Sequence, residues 1–464
     1  MIWQKPIKIF LLVILFRASP VMNQQSESIE QIRRQFDFGP YPQAPLEKSP
    51  KDDENFNNLF IHSLVTPYYL QHQQVIKTEG KVILDAGCGS GYKALALAEA
   101  NPGAKIVGID LSSKSVELAK KRLAYHGFEN TEFYTLAIED LPQLGLKFDY
   151  INCDEVLYLT DDPVIALKAM QSTLTEQGII RTNLHSIHNR VAIYRMQEVF
   201  KLMGLMDENP EEMEIEAAVE TVKALKNGVI TKAQTWNSKN YEGESQKEVI
   251  SMNYLLMRDK GYTIPQLFEF LEQSQLNFIS MVNWRYWEIL DLFQDTDNLP
   301  FFIEMGLSDI SIQQRLHLFE LLHPVSRLLD CWCSNTSTNP SIQPLNQWEK
   351  PDWEQAVVHL YPQLATEKVR NDLIECINEQ KFFEISKFIP LPTTKGILIE
   401  SKVAATLLPL FEQPMPFPDL VERWLKIQPV DPITLESKPW ETAFTEIQKQ
   451  VEKLEIFLYL LVEK

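Results

Sequence analysis

Between Lys81 and His185 the chain alternates short apolar runs rich in Val, Ile and Leu with longer stretches whose apolar residues return every three or four positions. A parallel sheet is covered on both faces, and each parallel return needs a crossover helix, so this alternation predicts βαβ units around a buried sheet. The strands are expected over 81–85, 105–110, 131–136, 148–153 and 178–184, and the helices over 92–99, 115–126 and 163–173. Ser112 or Ser113 is placed to cap the second helix and Asp162 the third. Pro163 falls in the first turn, where its missing N–H costs nothing. The fold class is therefore α/β, with a Rossmann-like core.

After His185 the helical period takes over. Ile215, Val219, Val222 and Leu225 share one face of a helix expected to stop at Asn227-Gly228. Thr263-Ile264-Pro265 opens another helix, and 276–282 reads as a strand that rejoins the sheet. Residues 81–188 are then the core, 189–261 a helical insertion covering the substrate side, and 262–333 the end of the core with a helical extension. The polar run 334–341, with Pro340 and Pro344 nearby, makes 334–347 the expected linker. The remainder, 348–464, reads as a mainly helical C-terminal domain with one strand-like run at 382–389 and its own apolar period at Leu454, Phe457, Leu458 and Leu461.

Residues 22–80 form an N-terminal arm. Tyr41, in Gly39-Pro40-Tyr41-Pro42, and Tyr68-Tyr69 belong either to a lid over a ligand or to ordinary docking of that arm. Before it, Lys5 and Lys8 precede an apolar run over 9–16. That run is far short of the ~20 residues a spanning helix needs, so no transmembrane segment is expected. No small-x-small cleavage site follows it. The expectation is an internal start at Met22, with a signal peptide or a peripheral anchor as alternatives.

Composition narrows the function classes. Across 464 residues, 63 acidic against 44 basic side chains leave a net charge of −19, which gives no strong nucleic-acid signal, since phosphate binding rests on Lys and Arg. Arg33-Arg34 and Lys120-Lys121-Arg122 read as solvated helix faces. The five cysteines, Cys88, Cys153, Cys331, Cys333 and Cys376, form no disulfide framework and no paired Cys-x-x-Cys sets, which fits a reducing, cytoplasmic compartment. Neither His185 with His188 nor His317 with His323 makes a metal set, so no metal is expected. Trp284, Tyr286 and Trp287 could stack on an aromatic ligand, but they read more simply as core.

The chemistry concentrates at Asp85-Ala86-Gly87-Cys88-Gly89-Ser90-Gly91. Glycines let the chain turn sharply from strand to helix and let its backbone approach a ligand, while the helix start offers unpaired N–H groups. Asp110 closes the next expected strand, where an acid can accept both hydroxyls of an adenosine ribose.

Val82 to Gly91 followed by Ile109-Asp110-Leu111 resembles the first two motifs of class I S-adenosylmethionine (SAM) dependent methyltransferases. The likeness continues through Ala137-Ile138-Glu139-Asp140-Leu141-Pro142, Phe148-Asp149-Tyr150-Ile151-Asn152 and Gly178-Ile179-Ile180. It implies SAM as cofactor, with Asp85, Gly87 and Gly89 around its methionyl part, Asp110 on the ribose, and Leu111 and Ile138 flanking the adenine. Cys88, Glu139 and Cys153 complete the implied cofactor set. The family often places an acid two residues before Glu139, to meet the adenine amino group; here Ala137 stands there, leaving that task to Glu139 or to backbone. The layout as a whole, with Leu407-Leu408-Pro409-Leu410 and Leu420-Val421-Glu422-Arg423-Trp424, is similar to bacterial methyltransferases with a regulatory or winged-helix C-terminal domain, some of them protein-lysine methyltransferases.

The donor sulfonium is already electrophilic, so the protein must chiefly align the acceptor and exclude water, with a base needed only for a protonated acceptor. Asn152, Asp154, Glu155 and Tyr158 follow the fourth expected strand, and His185 ends the fifth; Asp154, Tyr158 and His185 are the catalytic candidates, with a structural role the other reading of His185. The Asn-Pro-Pro-Tyr motif of many amino-group methyltransferases is absent. The acceptor is a protein side chain or a small molecule. Two other readings remain: a non-catalytic SAM-binding regulatory protein, and an NAD-dependent oxidoreductase, against which stands the bulk of Tyr92 where the dinucleotide pattern has a small residue.

Overall fold

A computed structural model of the chain describes residues 21–236, 246–296, 298–335, 342–390 and 396–464. The apolar run over 9–16 and positions 336–341 of the expected linker lie outside these residues.

The expected strands form at β1 (Val82–Ala86), β2 (Lys105–Asp110), β3 (Thr131–Thr135), β4 (Phe148–Cys153) and β5 (Leu174–Ser186). Three more join them: β6 (Gly261–Tyr262), β7 (Leu276–Met281) and β8 (Leu328–Asn335). The sheet order is β3-β2-β1-β4-β5-β8-β7, with β6 beside the end of β5. From β3 to β5 all pairings are parallel, while β8 is antiparallel to both β5 and β7. Strand order reverses between β1 and β4, so the loops leaving their carboxyl ends open a crevice, the position where open α/β sheets bind ligands.

The helices between the strands begin as their caps dictate. Ser112 accepts the Ser115 amide ahead of helix Ser113–Tyr125, and Asp162 accepts the Val164 amide ahead of Pro163–Ser172. Thr263 and Gln266 make a reciprocal capping box on Ile264–Gln273.

Three expectations of local structure need correction. The helix carrying Ile215, Val219 and Val222 ends at Ala224, because Leu225 already leaves in an extended conformation, rather than at a glycine cap at 227–228. Within 382–389 only β10 (Phe383–Glu384) is strand, pairing with β11 (Leu398–Ile399), and Ile385–Lys387 is a 3-10 turn. Strand β8 was not anticipated: it lies between two neighbours with both faces covered, so it lacks the two-residue alternation that marks a half-exposed strand.

The C-terminal region contains a second sheet, β12 (Met415–Pro416), β9 (Val357–Leu360) and β13 (Leu460–Glu463), packed under helices Phe417–Ile427 and Trp440–Glu455. Its core takes in Phe60, Val65 and Tyr69 from the arm, buried among Trp353, Tyr361, Val451 and Tyr459. The Tyr69 hydroxyl donates to the Val462 carbonyl at 3.1 Å, and Thr66 pairs with the Tyr361 hydroxyl. Helix Val65–His72 also packs on β7 of the large sheet, so the arm bridges the two sheets. No described helix is long and apolar enough to cross a membrane.

Candidate functional site

The turn after β1 is built around two positions where a side chain cannot fit. Gly87 and Gly89 adopt φ of +84° and +49°, in the left-handed region that costs glycine least. A Cβ on Gly87 would lie 2.3 Å from Val156 Cγ2, and one on Gly89 2.2 Å from the Tyr41 carbonyl oxygen. The turn is therefore wedged between the segment leaving β4 and the N-terminal arm. Above it lies a cavity of about 780 Å³, within the range of small-molecule sites.

Asp110, at the end of β2, stands in the wall of that cavity. One carboxylate oxygen accepts the Gly89 amide at 2.9 Å and the other the Ser112 amide at 2.8 Å. Burial raises its pKa, and the two amides pull the other way. Each oxygen keeps a lone pair for a further donor, which suits a pair of ribose hydroxyls. Gly87, Cys88, Gly89, Leu111, Ile138 and Glu139 line the same cavity. Asp85 and Cys153 lie behind it, fully buried. One Asp85 oxygen accepts from Asn152 at 2.9 Å, while the other is buried with no hydrogen-bond partner. Burial, moderated by Asn152, raises the Asp85 carboxyl to about 6. An acid in want of a partner directly beneath the turn, glycines without room for a side chain and a bridging acid on β2 together fit a donor that carries an adenosine and a cationic tail.

A charged network closes the side of the cavity beyond β4. Asp154 accepts from Asn183 at 2.6 Å and Lys93 at 2.7 Å, with Arg181 at 3.5 Å and His62 at 3.9 Å. Burial alone would raise its carboxyl, but Arg181, Lys93 and His62 hold it well below the usual carboxylate range. Glu155 takes a φ of +63°, rare for a residue with a side chain, and its amide donates to Asn183 at 2.8 Å. The Arg327 guanidinium grips its carboxylate with two bonds of 2.8 Å. Lys93 and Arg327 outweigh the burial and keep Glu155 ionised, with a pKa of about 2.

Of the three catalytic candidates, Asp154 and Tyr158 line the cavity and His185 does not. Asp154 is committed to two cations, Lys93 and Arg181. Tyr158 is buried and stacks on His185 with ring centroids 3.7 Å apart. His185 Nε2 lies 3.0 Å from an Arg327 nitrogen, and its Nδ1 2.6 Å from Asp259. Arginine only donates, so Nε2 is the acceptor and the proton sits on Nδ1, facing Asp259. Burial lowers this imidazole to about 4 against the pull of Asp259. His185 is therefore a neutral link between Arg327 and the insertion, with no free lone pair at the cavity.

Lys93, Arg327 and the insertion residues Met252, Asn253 and Leu256 also line the cavity. Nothing in the sequence marked them: Lys93 reads as an ordinary helix residue, and Arg327 lies more than 140 positions from His185. Trp287 is buried in the core, while Tyr286 is half exposed.

Residues 77–252 match a family described as methyltransferase domain. An uncharacterized protein of Synechococcus is 27% identical over 291 residues, which span 62% of this chain and 67% of the relative. The tRNA U34 carboxymethyltransferase of Campylobacter lari is 32% identical over 135 residues, 28% of this chain and 41% of that protein. The chain thus spans less than half the length of that relative. Among solved structures, PKMT2 from Rickettsia typhi is similar over 88% of this chain and 76% of its own, with a TM-score of 0.58 and 18% identity. Its complex with AdoHcy gives a TM-score of 0.57 at 17% identity over 87% and 76%. At these identities the likeness is one of fold.

Proposed function

We propose that this chain, a SAM-dependent methyltransferase of class I fold, binds its donor on the turn after β1 and methylates an amine on a protein side chain or small molecule. The observation that carries the donor site is Asp110 bridging Gly89 and Ser112 in the wall of the cavity. Asp110 holds the ribose, Leu111 and Ile138 flank the adenine with Glu139 nearby, and Gly87, Cys88 and Gly89 surround the methionyl part, with Asp85 and Cys153 packed behind. Bound there, the donor supplies an electrophilic methyl group. The chain's own residues align the acceptor and keep water out.

The acid-rich lining supports an amine acceptor. Seven acids line the cavity; Asp154 pairs with Lys93, Glu155 with Arg327 and Asp161 with Arg258, and Asp110, Glu139, Asp140 and Asp162 leave the lining net acidic. A concave site of one sign gathers ligands of the other. Tyr158 faces the acceptor, whereas Asp154 and His185 act by holding the network. The tRNA acceptor of the carboxymethyltransferases is not carried over, because the match covers about a quarter of this chain and the net charge is −19. We place the protein in the cytoplasm, a reading supported by five cysteines that are all free.

The test is transfer of labelled methyl from SAM into a lysate, with products sorted into protein, small-molecule and lipid fractions. Label entering the protein or small-molecule amine fraction is the expected result. Absence of label from every fraction opposes the reading.

A further inference from the structure

The strongest unassigned feature is the N-terminal arm. Its residues Ile32, Phe36, Tyr41 and Pro42 line the donor cavity, opposite the strands that carry every donor motif. The Tyr41 carbonyl accepts the Ser90 amide at 2.9 Å, and the Pro42 carbonyl accepts the Ser90 hydroxyl at 2.6 Å. Arg122, buried on helix Ser113–Tyr125, extends this clamp: its guanidinium donates to the Ala44, Pro45 and Ser90 carbonyls at 2.8, 2.6 and 3.0 Å. Ser112, whose amide holds Asp110, donates its hydroxyl to Asp37 at 2.5 Å. On the far side the arm reaches the insertion, through Asn209 to the Gln31 carbonyl at 2.6 Å and the Gln43 amide to Glu248 at 2.8 Å.

We infer that this arm is a working part of the donor site: Tyr41, pinned by its carbonyl to the glycine turn, closes the methionyl end, and donor or spent donor passes only when the arm lifts. The inference rests on the donor site proposed above. Two features separate it from ordinary docking. The contacts fall on Ser90 and Ser112, the residues adjoining the two donor motifs, rather than on remote surface. Only the stretch 36–45 needs to lift: it is held by hydrogen bonds to Ser90, Ser112 and Arg122, whereas the arm's anchor at Phe60, Val65 and Tyr69 stays in the C-terminal core, so the large sheet keeps its packing.

The test is the release rate of S-adenosylhomocysteine from the full chain, read by stopped-flow displacement. Asp37→Ala and Arg122→Lys weaken the arm's anchors, and neither residue lines the cavity. Each is expected to speed release by about fivefold or more, the worth of one lost hydrogen bond; Tyr41→Ala keeps the carbonyl bond but removes the ring from the cavity wall, and is expected to speed release as well. Hydrogen exchange supplies a second reading that does not depend on any variant's folding: in the wild type, ligand is expected to slow exchange of the Ser90 amide and across 36–45. Release and exchange that do not respond to these changes, in a chain that binds the ligand tightly, overturn the role of the arm alone. A wild-type chain that binds no S-adenosylhomocysteine overturns the donor site and this inference with it.

Discussion

Gly89 donates its amide to Asp110 at 2.9 Å, so the first donor motif and the second are physically one unit. Asp110→Ala removes the acceptor for Gly89 and Ser112 as well as the proposed ribose contact. Hydrogen bonds to a charged group are worth about 1.5–3 kcal/mol each, so affinity for S-adenosylhomocysteine is expected to fall at least about tenfold. Isothermal titration reads the loss, with circular dichroism showing that the fold persists.

A Cβ at Gly89 would sit 2.2 Å from the Tyr41 carbonyl, against backbone that is itself bonded to Ser90. Gly89→Val should therefore both expel the arm and strain the turn at φ +49°. The expected outcome is loss of S-adenosylhomocysteine binding with the C-terminal sheet still folded, read by hydrogen exchange over β9, β12 and β13.

Asp85 is expected to contribute to the pH dependence of the ligand-free protein. Burial raises its carboxyl from the ordinary 3.8 to about 6, so its protonated form favours the fold. That contribution is complete below 3.8 and is lost as pH rises through about 6. Asp85→Asn should remove this loss and raise the ligand-free melting temperature at pH 7 relative to wild type. If the ionised carboxylate holds the donor's cationic tail, wild-type affinity should also rise by up to about tenfold per pH unit below 6, and the variant's should not.

The turn after β1 and the end of β2, where the donor site is proposed, were legible because their rules are local. A strand end, glycines in the turn that leaves it, and an acid closing the next strand are all short-range patterns, and Asp85, Gly87, Gly89 and Asp110 lie at those strand ends and in that turn. The charged network was not legible, because Lys93, Glu155, Arg181, His185, Asp259 and Arg327 meet only through the order of β1, β4, β5 and β8. With β8 unseen, Arg327, which immediately precedes it, had no place. Tyr41 was visible as part of a Gly-Pro-Tyr-Pro run, but its carbonyl bond to Ser90 is backbone geometry that no residue type announces.

His185→Ala tests the structural reading of that histidine. It leaves Asp259 buried beside Arg190 and takes away the acceptor facing Arg327, which should cost about 2–4 kcal/mol in urea unfolding. Because burial lowers this imidazole from 6.5 to about 4, its contribution is present above 6.5 and lost as pH falls through 4. The variant's stability should accordingly fall less steeply over that window, while its affinity for S-adenosylhomocysteine stays within about threefold of wild type.

Phe60, Val65 and Tyr69 of the arm belong to the core of the C-terminal region, and helix Val65–His72 also packs on β7. Heat unfolding of the full chain is therefore expected to be one cooperative calorimetric transition rather than two, since neither sheet can lose its packing without exposing these residues. Two well-separated transitions would count instead for independent domains.

Titration of the full-length protein with S-adenosylhomocysteine, in parallel with NAD and with Asp110→Ala, tests the donor site most directly. The account predicts saturable binding of S-adenosylhomocysteine to wild type, no binding of NAD, and a loss of at least about tenfold in the variant. Equal affinity of wild type and Asp110→Ala, or preference for NAD, would contradict it.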